Sequence, residues 1–267
     1  MGNAASAASA DRSALLTIER AGAVLSVGLN RPAKRNALND PLILEIQDCF
    51  SNIPDDIGAV VIHGIGDHFS SGLDLSELTE RDATEGLIHS QMWHRVFDRI
   101  QYSRVPVIAA LKGAVIGGGL ELACAAHIRV AEPSAYFALP EGQRGIFVGG
   151  GGSVRLPRLI GVSRMADMML TGRVYSATEG ASFGFAQYLT DEGGAFARAM
   201  ELAERVTRNA PLTNFAVLQA LPMIAEANPQ TGLLMESLMA TVAQSDKEAK
   251  ARIRAFLDRK TAKVKPV

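Results

Sequence analysis

Two short apolar runs, each emptying into a glycine-rich segment, constrain the fold of this chain most. Ala59-Val60-Val61-Ile62-His63 and Val105-Pro106-Val107-Ile108-Ala109-Ala110-Leu111 are apolar without a polar alternate face. Runs of this kind read as strands covered on both sides, as in a parallel sheet flanked by helices. The first leads into Gly64 to Leu75. The second leads into Lys112-Gly113-Ala114-Val115-Ile116-Gly117-Gly118-Gly119 and then an apolar helix from Leu120 to about His127. Asn39 or Asp40 can cap a helix with Pro41 at its first position and Leu42, Ile46, Cys49 and Phe50 on one stripe. Residues 84–101 have helical spacing, with Leu87, Met92, Val96 and Ile100 expected on one face. Residues 15–29 alternate as a β-hairpin turning at Ala21-Gly22, and 128–131 and 135–138 read as further strands. Strands alternating with helices predict an α/β fold. From about Gly193 the pattern is helical, with Phe196, Met200 and Ala203 on one face and Pro211, Pro222 and Pro229 dividing it into separate helices.

The length, 267 residues, with 48% hydrophobic and 21% charged residues, suits one large domain or a domain with a helical extension. A net charge of -1 argues against a dedicated nucleic-acid binder. Cys49 and Cys124 form no CxxC pair, and no His/Cys cluster has metal-ligand spacing, so both are expected as buried thiols in a reducing cytoplasm and no metal is expected. Residues 1–12 are small and polar, without a basic start or apolar core, and read as a disordered tail rather than a secretory signal. The apolar stretch Val105 to Ala126 carries Lys112 and Glu121, which argues against a membrane span.

Glycine-rich stretches suggest phosphate binding, yet the familiar patterns fail. No Gly-Lys-Ser/Thr follows a P-loop spacing, and GxGxxG is not completed at residues 64–69, 117–122 or 149–154. GxSxG and HExxH are absent. What stands out is Gly117-Gly118-Gly119-Leu120-Glu121-Leu122-Ala123, placed where a strand hands over to a helix. A helix start leaves N–H groups unpaired and favours developing negative charge, so it can hold an oxyanion; the same glycines also read as a mere tight turn. Glu121 is a carboxylate inside an otherwise apolar helix, catalytic or salt-bridged. Glu141 ends the strand 135–138 and, taken alone, reads as a surface turn residue. His127, at the helix end, reads as packed rather than catalytic.

Taken together these segments resemble the crotonase (enoyl-CoA hydratase/isomerase) family from Leu29-Asn30-Arg31-Pro32 to the final helix. The motifs that carry the resemblance are Lys34-Arg35-Asn36-Ala37-Leu38, Phe69-Ser70-Ser71-Gly72-Leu73-Asp74-Leu75, Gly117 to Ala123, Pro140-Glu141 followed by Gly145 and Gly149, and Arg155-Leu156-Pro157-Arg158-Leu159-Ile160-Gly161. The resemblance implies a crotonase-like spiral of ββα turns over residues 13–192 and a C-terminal helical region, residues 193–267, that builds homotrimers or hexamers. It implies backbone N–H groups of Leu73 and Gly118 as an oxyanion hole and Glu121 and Glu141 as the two acids of a hydratase. Lys34 and Ala37 match the loop at the adenine end of coenzyme A. Ser71, Asp74, Leu75, Gly117, Pro140 and Gly149 fall within the substrate-contacting motifs, and Phe256 and Lys260 resemble positions that complete a neighbouring subunit's pocket. The implied substrate is an acyl-CoA thioester, with no separate cofactor.

Some positions depart from the family pattern. Gly149 stands where dienoyl-CoA isomerases carry an acid, Val148 to Val154 replaces the hydratases' Pro-Gly-Ala-Gly-Gly-Thr-Gln, and His127 stands where Asp is frequent. Hydration of a trans-2-enoyl-CoA is the expected reaction. Double-bond isomerisation, hydration followed by retro-aldol cleavage of an aromatic acyl chain, and a non-catalytic acyl-CoA-binding subunit remain alternatives. Met92, Trp93 and Phe97 either line an acyl tunnel or pack the core.

Overall fold

The computed structural model describes residues 15–77 and 80–258. The expected tail at 1–12 and Lys260 lie outside the described residues. The hairpin forms as β1 (Leu16–Ala21) and β2 (Val24–Leu29), with Gly22 taking the left-handed turn at φ +59°. β2 then pairs in parallel with β3 (Ala59–Gly64), β3 with β4 (Val107–Leu111), and β4 with β6 (Ile128–Ala131). The short β9 (Tyr188–Leu189) closes this six-stranded sheet. A smaller sheet contains β5 (Ala114–Ile116), β7 (Tyr136–Ala138) and β8 (Tyr175–Ser176). Single bridges, Leu38 to Leu73 and Ser70 to Val115, extend the same inner column of pairing backward through the chain.

The spiral is legible in this arrangement. Each turn contributes a long strand to the large sheet, a short extended segment to the inner column and then a helix. The helices of the first three turns are α1 (Asp40–Ser51), α2 (Ala83–Gln101) and α3 (Gly118–Ala125). β2 and β4 are buried along their whole length, as continuous apolar runs require. One core, including Val27, Ile62, Phe69, Phe97, Leu111 and Leu122, fills the space between the sheets and helices. A second lies on the outer face of the large sheet under α7 (Ala195–Thr207), where Val61, Ile108 and Val130 meet Ala199, Leu202 and Ala203. Each fully buried Val, Leu, Ile or Phe among them stabilises by roughly 1.5–3 kcal/mol.

Some element-level expectations change. α3 starts at Gly118, two residues before Leu120, with Gly117 as its N-cap. On α2, Val96 and Ile100 are buried but Leu87 is 60% exposed, because the first turns of this helix overhang the core edge. On α7 the buried face is Ala195, Ala199, Leu202 and Ala203; Phe196 turns aside and packs on the His63 ring. Pro211 and Pro229 do open helices, α8 (Pro211–Phe215) and α10 (Pro229–Ser245). Pro222 does not break the path, since a π-turn at residues 216–220 precedes α9 (Leu221–Glu226) and its widened ladder accommodates the missing N–H. Helices α4 (Gly152–Ile160), α5 (Val162–Thr171) and α6 (Ala177–Ser182) link the spiral to α7, and α11 (Lys247–Leu257) follows α10. Cys124 is buried and Cys49 only partly so; burial pushes their thiols up to about 12 and about 11. Among the described residues no helix is long and apolar enough to cross a membrane.

Candidate active site

The inner column of the spiral positions two backbone donors. At the Leu38–Leu73 bridge, Leu38 N–H donates to Gly72 O and Asp74 N–H to Leu38 O. The intervening Leu73 N–H is thereby left out of the pairing. Gly118 is the first residue of α3, where a helix has no internal acceptor for its N–H. Among the described residues neither amide has an acceptor within the chain. They are neighbours: a Cβ built on Gly118 would lie 3.5 Å from Leu73 N, and one built on Gly72 would lie 3.1 Å from Gly118 N. Two adjacent free amides, one at a helix N-terminus, suit an oxygen that gains negative charge.

The two acids flank this pair from different elements. Glu121 projects from the first turn of α3 and is 4% exposed. Its Oε1 accepts from Gly150 N at 2.9 Å and Gly152 N at 2.7 Å. Burial pushes its carboxyl above the ordinary value, against the pull of those two N–H groups and of the Arg155 guanidinium. Glu141 opens a turn of 3₁₀ helix after β7 and is also buried. Burial, with a further push from the Glu121 charge, raises it to about 7. Its Oε2 is buried with no hydrogen-bond partner among the described residues. Gly117, at φ +52°, separates the two; a Cβ there would come 2.7 Å from Glu141 Oε1. Only glycine fits that backbone and that contact.

Arg155 was not singled out in the sequence as a side chain with a task, yet it orders the loop that holds Glu121. Its Nη1 donates to Gly150 O at 3.0 Å, while Nε and Nη2 reach Gln101 and Asp98, each at 2.5 Å. Ser90 Oγ donates to Gly149 O at 2.7 Å from the opposite side. A concavity of about 710 Å³ between α4 and the C-terminal helices lies behind this loop and is lined by neither acid.

A sequence model of the enoyl-CoA hydratase/isomerase family matches residues 19–265. The chain belongs to this family, the crotonases. The crotonase relatives include a protein of Escherichia coli K12 named 2,3-dehydroadipyl-CoA hydratase, 34% identical over 250 residues that span 92% of this chain and 96% of that one. A short-chain-enoyl-CoA hydratase of Clostridium acetobutylicum is 31% identical, covering 91% of this chain and 94% of its own. Among solved structures, a provisionally named enoyl-CoA hydratase of Rhodopseudomonas palustris CGA009 is 78% identical and superposes with a TM-score of 0.91 over 97% of this chain and 100% of that chain. This crotonase is therefore an enzyme of the enoyl-CoA hydratase class, with the α/β spiral its motifs implied.

Of the remaining residues named from the crotonase motifs, five fall into one contiguous group. Lys34, Ala37, Ser71, Asp74 and Leu75 lie together, because Ser71 N–H donates to Arg35 O and the 36–38 segment pairs with 72–74. Asp74 is buried and accepts from Arg31 Nη2 at 2.9 Å, Lys34 Nζ at 3.0 Å and Ser76 Oγ at 2.6 Å, so it holds the loop. Those hydrogen bonds outweigh its burial and keep its carboxyl far below the usual range. Asn36, missed as a functional position, staples the same loop: it accepts from Arg31 N at 2.8 Å and donates to Ile65 O at 2.9 Å and His68 O at 2.7 Å. Arg35 and Asn36 both have positive φ, which Asn tolerates best among non-glycine residues. Pro140 sits beside Glu141, and Gly149 at the rim of the Glu121 loop. Phe256 is 63% exposed on α11, which packs on α10, so nothing within one chain brings it to the acids. His127 is structural: Nδ1 accepts from Val107 N at 2.9 Å and Nε2 donates to Gln101 O at 2.9 Å, and burial lowers it to about 4. Among the described residues no group of three or more His, Cys, Asp or Glu could hold a metal.

Proposed function

We propose that this crotonase adds water to a trans-2-enoyl-CoA to give the 3-hydroxyacyl-CoA, using Glu121, Glu141 and the amides of Leu73 and Gly118. The observation that carries this reading is the asymmetry of the two carboxyls. Burial raises both carboxyls, but Glu121 is clamped by two N–H groups that favour its ionised form, whereas Glu141 has an unpartnered buried oxygen and is raised to about 7. A pair split in this way supplies a base and an acid at once.

In the proposed reaction the thioester oxygen lies between the two amides. Glu121 takes a proton from a water molecule as its oxygen bonds to the β-carbon. The π electrons move toward the thioester, and the enolate oxygen is held by Leu73 and Gly118, each donor supplying roughly 3–4 kcal/mol. Glu141 then gives its proton to the α-carbon, completing addition of H and OH. No metal or redox cofactor enters this scheme. The loop of Lys34, Ala37, Ser71 and Leu75, fixed by Asp74 and Asn36, would receive the coenzyme A moiety. Residues 193–267 would assemble homotrimers or hexamers in the cytoplasm, with Phe256 and Lys260 offered to a neighbour's pocket.

The test is product analysis on a 2-enoyl-CoA with the wild type and with Glu121→Gln and Glu141→Gln. Each variant is expected to keep its fold and lose about 10²–10⁴-fold in kcat. Full turnover in either would discard the two-acid scheme. A 3-enoyl product in place of the alcohol would assign isomerisation, and bound thioester that never converts would assign a binding subunit.

A further inference from the structure

Gly149 to Gly152 are four glycines in a row. Such a run has no side chain to pack and the widest choice of backbone conformations, so its order has to be imposed by its neighbours. Three successive peptide groups in it carry the hold on Glu121. The first gives the Gly150 N–H to Glu121 Oε1 at 2.9 Å, while its carbonyl, Gly149 O, accepts from the Ser90 hydroxyl at 2.7 Å. The third gives the Gly152 N–H to the same carboxylate oxygen at 2.7 Å. The peptide between them is held through its carbonyl: Gly150 O accepts from Arg155 Nη1 at 3.0 Å. Peptide groups are rigid planes joined at the Cα atoms, so a turn of this middle plane reorients the donor on either side of it.

Arg155 holds that plane from a fixed point. It is buried, and its Nε donates to Gln101 Oε1 and its Nη2 to Asp98 Oδ1, each at 2.5 Å, at the C-terminal end of α2. The guanidinium also occupies the space beside Gly151, which takes φ +93° and where a Cβ would lie 3.3 Å from Arg155 Cζ. Three nitrogens of one planar fork are thus spent on three different acceptors, a brace that the point charge of a lysine cannot reproduce. Resting on the hydratase reading, we infer that Arg155 is a positioning residue for hydration: its guanidinium braces the glycine run against α2 and so aims the two N–H groups that hold Glu121. It acts on the reaction through Glu121 alone. Its charge works in the same direction, opposing the burial that pushes the Glu121 carboxyl up. The cavity of about 710 Å³ behind the run is lined by Arg155, Asp98, Gln101 and Gly151. A small cation can therefore reach the place that the guanidinium leaves when the side chain is cut back.

That access makes the brace testable by replacement. Arg155→Ala is expected to lose about 10–100-fold in kcat on an enoyl-CoA with KM changed by less than about twofold, since a misplaced reacting group slows the step without weakening binding. Ethylguanidinium added to the variant should restore most of the rate; ethylammonium, which brings the charge without the fork, should not. In the Glu121→Gln background, Arg155→Ala should cost nothing further, because the two side chains act as one unit. Amide hydrogen exchange in the peptide spanning residues 149–152, followed by mass spectrometry, should be faster in Arg155→Ala and slowed again by ethylguanidinium. Unchanged kcat, a loss carried by KM, equal rescue by the two cations, a further loss in the Glu121→Gln background, or unchanged exchange would each overturn the inference. If Arg155→Ala does not fold, Gln101→Met takes its place, keeping the size and removing one acceptor, with an expected loss of about 3–10-fold in kcat and faster exchange. Full rate with unchanged exchange in that variant would equally overturn it. The wild-type and Glu121→Gln rates judge the hydration scheme, whereas the exchange measurement needs no turnover, so the two readings fail separately.

Discussion

A carboxylic acid that titrates near neutrality makes the rate itself report on the site. In the proposed reaction Glu141 must be protonated to deliver hydrogen to the α-carbon, and burial raises it to about 7. As pH climbs through that value the acid form is lost, so kcat/KM for hydration should fall on the alkaline side, approaching about tenfold per unit. In Glu141→Gln this limb should vanish, at a much lower plateau; a limb that persists would move the ionisation to another group. Asn36 is the residue whose loss should be felt most in the loop. Asn36→Ala strands the carbonyls of Ile65 and His68 and leaves a positive φ on an ill-suited residue. A loss of about 2–4 kcal/mol in denaturant unfolding is expected, with KM for the thioester raised. At this scale the sequence was readable where chemistry is anomalous. Glu121 declared itself as a charge in an apolar helix. Asn36 did not, because an asparagine in a turn-rich loop is ordinary until its three partners are seen. Nor did the Trp93 N–H, since only packing shows that no acceptor among the described residues reaches it.

Among elements, the segment from Gly149 into α4 is the one on which the placement of Glu121 depends. It presents the N–H groups of Gly150 and Gly152 to one oxygen and is itself tied down by Arg155 and Ser90. A methyl on Gly152 would come 2.7 Å from Glu121 Cγ and 2.9 Å from Oε1. Gly152→Ala is therefore expected to lower kcat by about 10–100-fold with a smaller change in KM, because displacing a reacting group by a fraction of an ångström is costly. Steady-state kinetics on one enoyl-CoA would check it; unchanged kcat would mean that the loop yields freely. The buried strands β3 and β4 were legible as uninterrupted apolar runs. α4 was not, since it starts in glycines and contains Pro157, two features that argue against a helix locally and are overruled by packing against α3 and α5. Pro222 shows the converse: a residue that ordinarily ends a helix sits inside a continuous path, because one widened turn absorbs the missing hydrogen bond.

For the whole molecule, the C-terminal helices expose what a soluble chain usually hides. Leu234, Leu238 and Val242 form an i, i+4, i+8 stripe on α10, and Ile253, Phe256 and Leu257 extend the apolar surface on α11. Covering each large side chain is worth roughly 1.5–3 kcal/mol, which supports the proposed homotrimer. The double variant Leu234→Glu and Leu238→Glu is expected to shift the mass measured by light scattering from the oligomer to the monomer. A wild-type monomer, or an unchanged oligomer in the variant, would dismiss α10 as the contact. Helicity of this region was evident from its sequence pattern, but its surface was not, because periodicity marks an apolar face without saying which molecule covers it.

The amides of Leu73 and Gly118 belong to the polypeptide itself rather than to any side chain. An amide hydrogen has no codon: every residue except proline supplies one. Mutation can therefore rewrite the side chains around these amides, while the proposed anion receptor is inherited intact with the winding of the chain. Such a scaffold lets substrate choice drift without putting the proposed enolate chemistry at risk.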